Sequence, residues 1–164
     1  MTTVQATEKD IPLIREIAAR SWRDNYAGIL SKEQIDYMLA MMYSEEELRG
    51  HLKNPNYHYF LIFDSVAKPV GIMGFEHHSE PGSTKLHRIY LLKESKGKGL
   101  GKMALDVVKK MVRDVGDARI ILNVNRNNPA IKFYRSQGFQ VYAEGVFDIG
   151  NGFVMDDFLM EFFV

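Results

Sequence analysis

Two hydrophobic periods alternate along the chain, and each change of period marks a new element. Ile11, Ile14, Ile17, Ala18 and Trp22 recur at the spacing of one helical face. Thr7 with Asp10 three positions on forms a capping arrangement ahead of them, and Asp24-Asn25-Tyr26-Ala27-Gly28 breaks the pattern. Ser31 and Gln34, ahead of Ile35, Met38, Leu39 and Met42, predict a second helix. Ser44-Glu45-Glu46-Glu47 is a fuller capping box and predicts a third, short helix ending near Leu52. A short strand over Thr2–Ala6 precedes all three, and Asn54-Pro55-Asn56 reads as a turn.

From Tyr57 the period drops to two. Tyr59, Leu61 and Phe63 alternate with Phe60 and Ile62. Val66 to Pro69 is a turn, Val70 to His78 a partner strand, and Glu80 to Ser83 a second turn. With Leu86–Leu92 these runs predict an antiparallel meander. In the last run Leu86 would share a face with Arg88 and Tyr90 under strict alternation, yet the apolar partners are Ile89 and Leu91. A β-bulge shifts the pattern by one; a strand buried on both faces accounts for it as well. Helical spacing returns at Met103, Leu105, Val107, Val108, Met111, Val112 and Val115, and Gly116-Asp117 ends it. Arg119–Val124 follows as a strand, so strand, helix and strand make a crossover unit and the two strands should run parallel. Asn127-Asn128-Pro129 opens another helix, stopped by Gly138-Phe139. Gln140–Phe147 and Phe153–Phe162 are the last strands, joined through Gly150-Asn151-Gly152, a tip suited to a hairpin. The expected fold class is α/β (α+β): a mixed, mostly antiparallel sheet with helices on both faces.

Composition narrows the partners. A chain of 164 residues is one domain with room for a core. Lys and Arg number 21, matching 21 Asp and Glu, which argues against nucleic acid as a partner. With no cysteine there is neither a disulfide framework nor a thiol nucleophile. The first residues lack the charged start and apolar stretch of a signal peptide, and no apolar run is long enough for a bilayer. The expected place is the cytoplasm, away from membranes.

Candidate chemistry centres on Lys96-Gly97-Lys98-Gly99-Leu100-Gly101-Lys102, between an apolar strand and an amphipathic helix. Glycine admits close backbone approach, the N–H groups of a helix start are unpaired, and the helix dipole favours negative charge there. The loop can therefore hold phosphate; an ordinary strand-to-helix turn with solvated lysines is the plain alternative. It is not a Walker loop, since Met103 follows Gly101-Lys102, nor a dinucleotide fingerprint, whose glycine spacing differs. It fits [Arg/Gln]-x-x-Gly-x-Gly with Lys96 in first place, and here the sequence resembles the GNAT superfamily of N-acetyltransferases. Lys96 keeps the cation of that position but not the planar fork. The second half of the resemblance is Asn127-x-x-Ala130-x-x-Phe133-Tyr134-x-x-x-Gly138-Phe139, which matches the family pattern letter for letter. The two motifs cover Leu86–Phe139.

The resemblance implies a single N-acetyltransferase domain over residues 1–164, with its sheet splayed between Leu86–Leu92 and Arg119–Val124 to admit the pantetheine arm. It implies acetyl-CoA as co-substrate, bound by Ile89, Tyr90 and Leu91 on the strand, by the loop from Lys96 through Gly97, Lys98, Gly99, Leu100, Gly101 and Lys102, and by Asn127 and Tyr134. A backbone N–H freed by a bulge near Leu91 would polarise the thioester carbonyl. Tyr134 would protonate the departing thiolate, completing direct transfer to a primary amine. For the base, His87 and Glu76 are rivals, with a water chain as a third possibility. No metal is expected: His77 and His78 are adjacent on a strand and point to opposite faces. The resemblance places the acceptor against the first helices and the late hairpin, with Trp22, Asp24, Tyr26, Glu45, Glu46 and Tyr142 as candidates. Ser21–Tyr26 together with Met155-Asp156-Asp157-Phe158 is similar to bacterial polyamine acetyltransferases, and acidic and aromatic residues suit a polycation. A protein N-terminus or lysine, or another small amine, stays open as acceptor. So does a non-catalytic acyl-CoA-binding module of the same fold, and either a monomer or a homodimer.

Overall fold

The computed structural model describes residues 1–164. Seven strands, β1 (Thr2–Gln5), β2 (Tyr57–Phe63), β3 (Pro69–Glu80), β4 (Ser83–Leu91), β5 (Arg119–Asn125), β6 (Gln140–Gly150) and β7 (Phe153–Phe163), form one sheet. Its spatial order is β1-β2-β3-β4-β5-β7-β6. Five helices, α1 (Ile11–Tyr26), α2 (Lys32–Met42), α3 (Glu45–Lys53), α4 (Leu100–Asp114) and α5 (Ala130–Ser136), cover its two faces. Every strand pair is antiparallel except β4 with β5.

The local signals for the helices hold. Asp10 accepts the Thr7 N–H at 2.9 Å ahead of α1. The Ser31 and Ser44 hydroxyls cap α2 and α3 by accepting the N–H of Gln34 and Glu47 at 3.1 Å each. One boundary differs. The Asp24-to-Gly28 break begins later than expected, because α1 continues to Tyr26. Tyr26 is buried, and Asn25 donates to the Ser21 hydroxyl one turn back at 3.0 Å, so the last turn is held in place. At the β6–β7 tip, Asn151 and Gly152 have φ of 54° and 78°. Two consecutive left-handed residues are what a two-residue hairpin loop of matching twist requires.

Each face of the sheet has its own core. The stripes of α1 and α2, with Leu48 of α3, pack with Tyr59, Leu61 and Ile72. On the other face Leu105, Val108 and Val112 of α4 pack with Met73, Phe75 and Ile120. Both are built from the apolar positions that the periodicity marks.

Strand β4 departs from the sequence reading in two ways. It starts at Ser83, three residues earlier than the apolar run, because Ser83 and Thr84 are buried although polar. Those earlier residues carry the whole parallel pairing: Ser83, Thr84 and Lys85 face Arg119, Ile120 and Ile121, and beyond them the strands part. The bulge exists, but at His87. Phe75 faces Leu86 while Gly74 faces Arg88, so His87 is the extra residue. Leu91, where the bulge was expected, pairs squarely with Gly71. A bulge adds local twist, and it sits two residues beyond the last parallel pair, where the sheet opens.

Candidate active site

The glycine loop runs from the end of β4 to the start of α4. Gly97 and Gly99 have φ of 81° and 77°, a region where a Cβ is strained, and Gly99 is the residue that caps α4. The first intrahelical bond of α4 is Met103 N–H to Gly99 carbonyl. The N–H groups of Leu100, Gly101 and Lys102 therefore precede the helical ladder and are free for a ligand. Gly101 matters for packing instead. A Cβ there would stand 3.2 Å from the Phe133 ring, so its absence lets α4 approach α5. The lysines are not equivalent. Lys96 and Lys102 line the cleft described next, whereas Lys98 is exposed outside it. Lys96 reaches the Asn25 side-chain oxygen, and Lys102 pairs with Asp106 at 2.8 Å.

Where β4 and β5 part, a cleft of about 550 Å³ passes through the sheet. Leu86–Leu91 form one wall and Leu122, Asn123 and Val124 the other, with Asn25 and Tyr26 of α1 and Phe133 and Tyr134 of α5 closing it. Leu92 N–H bonds to Val70 carbonyl on β3. By the alternation of the ladder, the N–H groups of Leu91 and Ile89 turn the other way, into the opening. The free donors expected near Leu91 are thus present, but the parting of the strands exposes them rather than a bulge.

Tyr134 belongs to the α4 side. It is buried, packs against Phe133 and Phe139, and lines the cleft. Burial first, and the neighbouring Tyr90 second, hold its phenol well above the usual value. It stays protonated at neutral pH, as a proton donor must.

His87 belongs to the opposite side. Its ring stacks on Tyr57 at 5.0 Å, and it lines the cleft. The two rival bases turn out to be one pair: His87 Nε2 lies 3.2 Å from a Glu76 oxygen, and Asn54 donates to the other Glu76 oxygen at 3.2 Å. Glu76 itself does not line the cleft. A carboxylate only accepts, so Nε2 carries the proton and Nδ1 keeps the lone pair. Burial pushes the His87 pKa down to about 4, against the opposing pull of Glu76. The ring is neutral at physiological pH.

Several expected site residues lie elsewhere. Asn127 is exposed and is not part of the cleft; its N–H is tied to the Asn125 side chain at 2.9 Å. Asn128 takes the wall position instead, accepting the Ala130 N–H at 2.9 Å and donating to the Tyr26 hydroxyl at 3.2 Å. Of the acceptor candidates only Tyr26 reaches the cleft. Trp22 is on the inner face of α1, fully covered, packed on Tyr26 and Tyr90 at 4.6 and 6.0 Å. It supports the wall from behind. Asp24 is exposed on the outer face of α1, and Glu45 and Glu46 are exposed in the first turn of α3. Tyr142, on β6, lies under the Arg119 guanidinium at 4.6 Å, at the end of β5 where the sheet is closed. The sequence reading did not name Arg88 as a site residue, yet it lines the cleft; Asp157, part of the Met155-Asp156-Asp157-Phe158 stretch, lies nearby but does not line it. Both are charged, buried and close to Tyr90. The one available signal was a charge inside an apolar strand run.

A family model described as the acetyltransferase (GNAT) family matches residues 12–139. The chain belongs to this family. GNAT relatives cover nearly its whole length. An uncharacterized N-acetyltransferase of Lactobacillus delbrueckii subsp. lactis is 29% identical over 164 residues, covering 96% of this chain and 94% of that one. The spermidine N(1)-acetyltransferase of Thermoplasma acidophilum is 29% identical over 150 residues, covering 90% and 91%. The crystal structure of PaiA N-acetyltransferase from Thermoplasma acidophilum in complex with coenzyme A superposes with a TM-score of 0.83 at 26% identity, over 100% of both chains. The splayed, mostly antiparallel sheet is the GNAT fold.

Proposed function

We propose that this GNAT enzyme moves the acetyl group of acetyl-CoA to the primary amine of a small molecule in one direct step. One observation carries the reading: the cleft runs through the sheet, with the glycine loop and Tyr134 on one side and His87 on the other. The free N–H groups at the start of α4 hold the pyrophosphate. The coenzyme A in the Thermoplasma relative supports that assignment. The acceptor enters from the side of α1 and α2, and the similarity to a spermidine N(1)-acetyltransferase supports a small amine in that place.

The chemistry then divides between the two sides. The Nδ1 lone pair of His87 takes the amine proton, directly or through a water, and Glu76 keeps the ring in the right tautomer. The amine nitrogen attacks the thioester carbonyl carbon. The Leu91 or Ile89 N–H donates to the oxygen as it gains charge. The C–S bond breaks, the N-acetyl bond remains, and Tyr134 gives its proton to the sulfur.

Isothermal titration with acetyl-CoA tests the cofactor half. Binding should be lost in Gly99→Glu, which strains a left-handed residue and puts a negative charge in the phosphate cradle. Thiol release from acetyl-CoA in the presence of an amine panel tests the transfer. Absence of acetyl-CoA binding by the wild-type protein would overturn the proposal.

A further inference from the structure

Arg88 is a buried cation without a carboxylate. It is 6% exposed, yet it lines the cleft beside His87. Its Nη1 donates to the hydroxyls of Tyr57, at 2.6 Å, and Tyr59, and its Nη2 donates to the Met42 carbonyl at 3.2 Å. Its Nε is buried with no partner. A guanidinium has five N–H donors, so the Nε–H and one Nη–H remain unused. All the neighbours that hold Arg88 are neutral: three hydrogen-bonding oxygens and the Tyr43 ring, 4.6 Å from the guanidinium carbon. Burial first, with a contribution from the Arg88 charge, lowers the pKa of the adjacent His51 and His87. Proteins seldom bury a charge that is not paired.

A second unpaired charge sits across Tyr90. Asp157 on β7 is 6% exposed and its Oδ1 has no partner. Asp157 does not itself line the cleft; its hydrogen-bonding neighbour Asn123 does, as does the nearby Tyr26. Resting on the acetyltransferase reading above, we propose that the acceptor amine also carries a carboxylate, and that Arg88 binds this carboxylate through its unused N–H donors. Arg88 is on the acceptor side, since its partners Tyr43, Tyr57 and Tyr59 belong to the core under α1, α2 and α3. Two parallel N–H groups of one guanidinium edge suit a planar carboxylate. A polyamine offers Arg88 no carboxylate and brings further positive charge towards it, which like-charge repulsion disfavours.

Matched acceptors separate the two cases. L-Lysine and cadaverine differ only in the carboxylate, and so do L-ornithine and putrescine. With saturating acetyl-CoA, thiol release should show kcat/KM for the carboxylate member about 10- to 100-fold above its partner, the worth of a charge-assisted hydrogen bond. In Arg88→Gln that ratio should fall towards one, through a rise in KM for the amino acid. Arg88→Lys, which keeps the charge and loses the fork, should lie between. Titration with acetyl-CoA checks that each variant keeps its folded cleft. Equal or better turnover of cadaverine, putrescine or spermidine by the wild type overturns the proposal. So does an Arg88→Gln variant that lowers both members of a pair by the same factor. If acetyl-CoA binds but no amine releases thiol, the transfer reading fails on its own terms. Calorimetric titration of L-lysine into the coenzyme A complex then decides the Arg88 site: binding weakened by Arg88→Gln supports it, and absence of binding overturns it.

Discussion

The two ends of the β4–β5 pair bury charged side chains in different ways. At the closed end Asp117 accepts the His78 N–H at 3.0 Å, the His78 ring at 2.7 Å and the Thr84 hydroxyl at 2.7 Å. Thr84 spends its one hydrogen on Asp117, so its oxygen accepts from His77 Nδ1 at 2.9 Å. Burial alone would push the Asp117 carboxyl up, but those hydrogen bonds and the His78 charge bring it below the usual value. At the open end Arg88, a few residues further along β4, and Asp157, on β7 opposite the end of β5, are about as deeply buried and each keeps an unpartnered atom. At the closed end the carboxylate is fully paired and only His77 Nε2, on a ring without a full charge to satisfy, lacks a partner; at the open end it is a charged group, Arg88, that keeps an unused donor beside the cleft. One pair of strands thus supplies both the joint that sets the splay and the site that the splay creates.

Removing the proposed acid should break the open end hardest. Tyr134→Phe keeps the ring that packs on Phe139 and loses the proton, so thiol release should fall about 10²- to 10⁴-fold in a steady-state assay, with the melting temperature held. His87→Gln should cost about 10²-fold, at the lower edge of that range, because water can still carry the proton away. The pH profile sharpens this. With its pKa lowered to about 4, His87 is already neutral throughout the neutral range, so the loss should be a constant factor from about pH 6 to about pH 9. A loss that vanishes at one end of that range would deny His87 its role as the base.

The closed end should fail differently. Asp117→Ala leaves the Thr84 hydroxyl and the His78 donors without their acceptor, and urea unfolding should show a loss of about 2–4 kcal/mol. Activity per folded molecule should stay within about twofold, because the proposed reaction uses groups at the open end only. The Asp117 pKa is lowered on folding. Its contribution is present above the pKa of an unfolded Asp and is lost as the pH falls through the folded value, so wild type and Asp117→Ala should converge in acid.

Asp157 gives the smallest effect and the opposite sign. Burial raises its pKa to about 6. A raised carboxylate costs stability once ionised, and that cost sets in as the pH rises from the unfolded value and is complete above about 6. Asp157→Asn should therefore stabilise the protein by about 1–2 kcal/mol at about pH 8 in thermal melts, and by clearly less at about pH 4. Equal stabilisation at both pH values would mean that Asp157 is not a strained charge.

Local signals explain how much of the chain was legible as sequence. The caps at Thr7, Ser31 and Ser44, the glycines before α4 and the Asn151-Gly152 tip act over a few residues, and neighbours in sequence stay neighbours in the fold. The apolar periods marked both cores because burial is averaged along each element. The motif residues Gly97, Gly99, Gly101 and Tyr134 reach the cleft for the same reason.

From residue order alone come the set of elements, the parallel crossover and the family loop with its tyrosine. Long-range packing settles the rest. Ser83 reads as the end of a turn and Thr84 and Lys85 carry no element signal, yet burial of Ser83 and Thr84 makes the three the parallel joint. Asn127 and Asn128 are identical letters, separated only by which one the turn held by Asn125 points at Tyr26. Arg88 meets Met42 from across 46 residues and Tyr57 from across 31, and Asp157 arrives on the last strand. A charged residue in a sequence is by default a solvated one. Only contacts distant in sequence can take its water away without supplying a partner, and no local pattern records that.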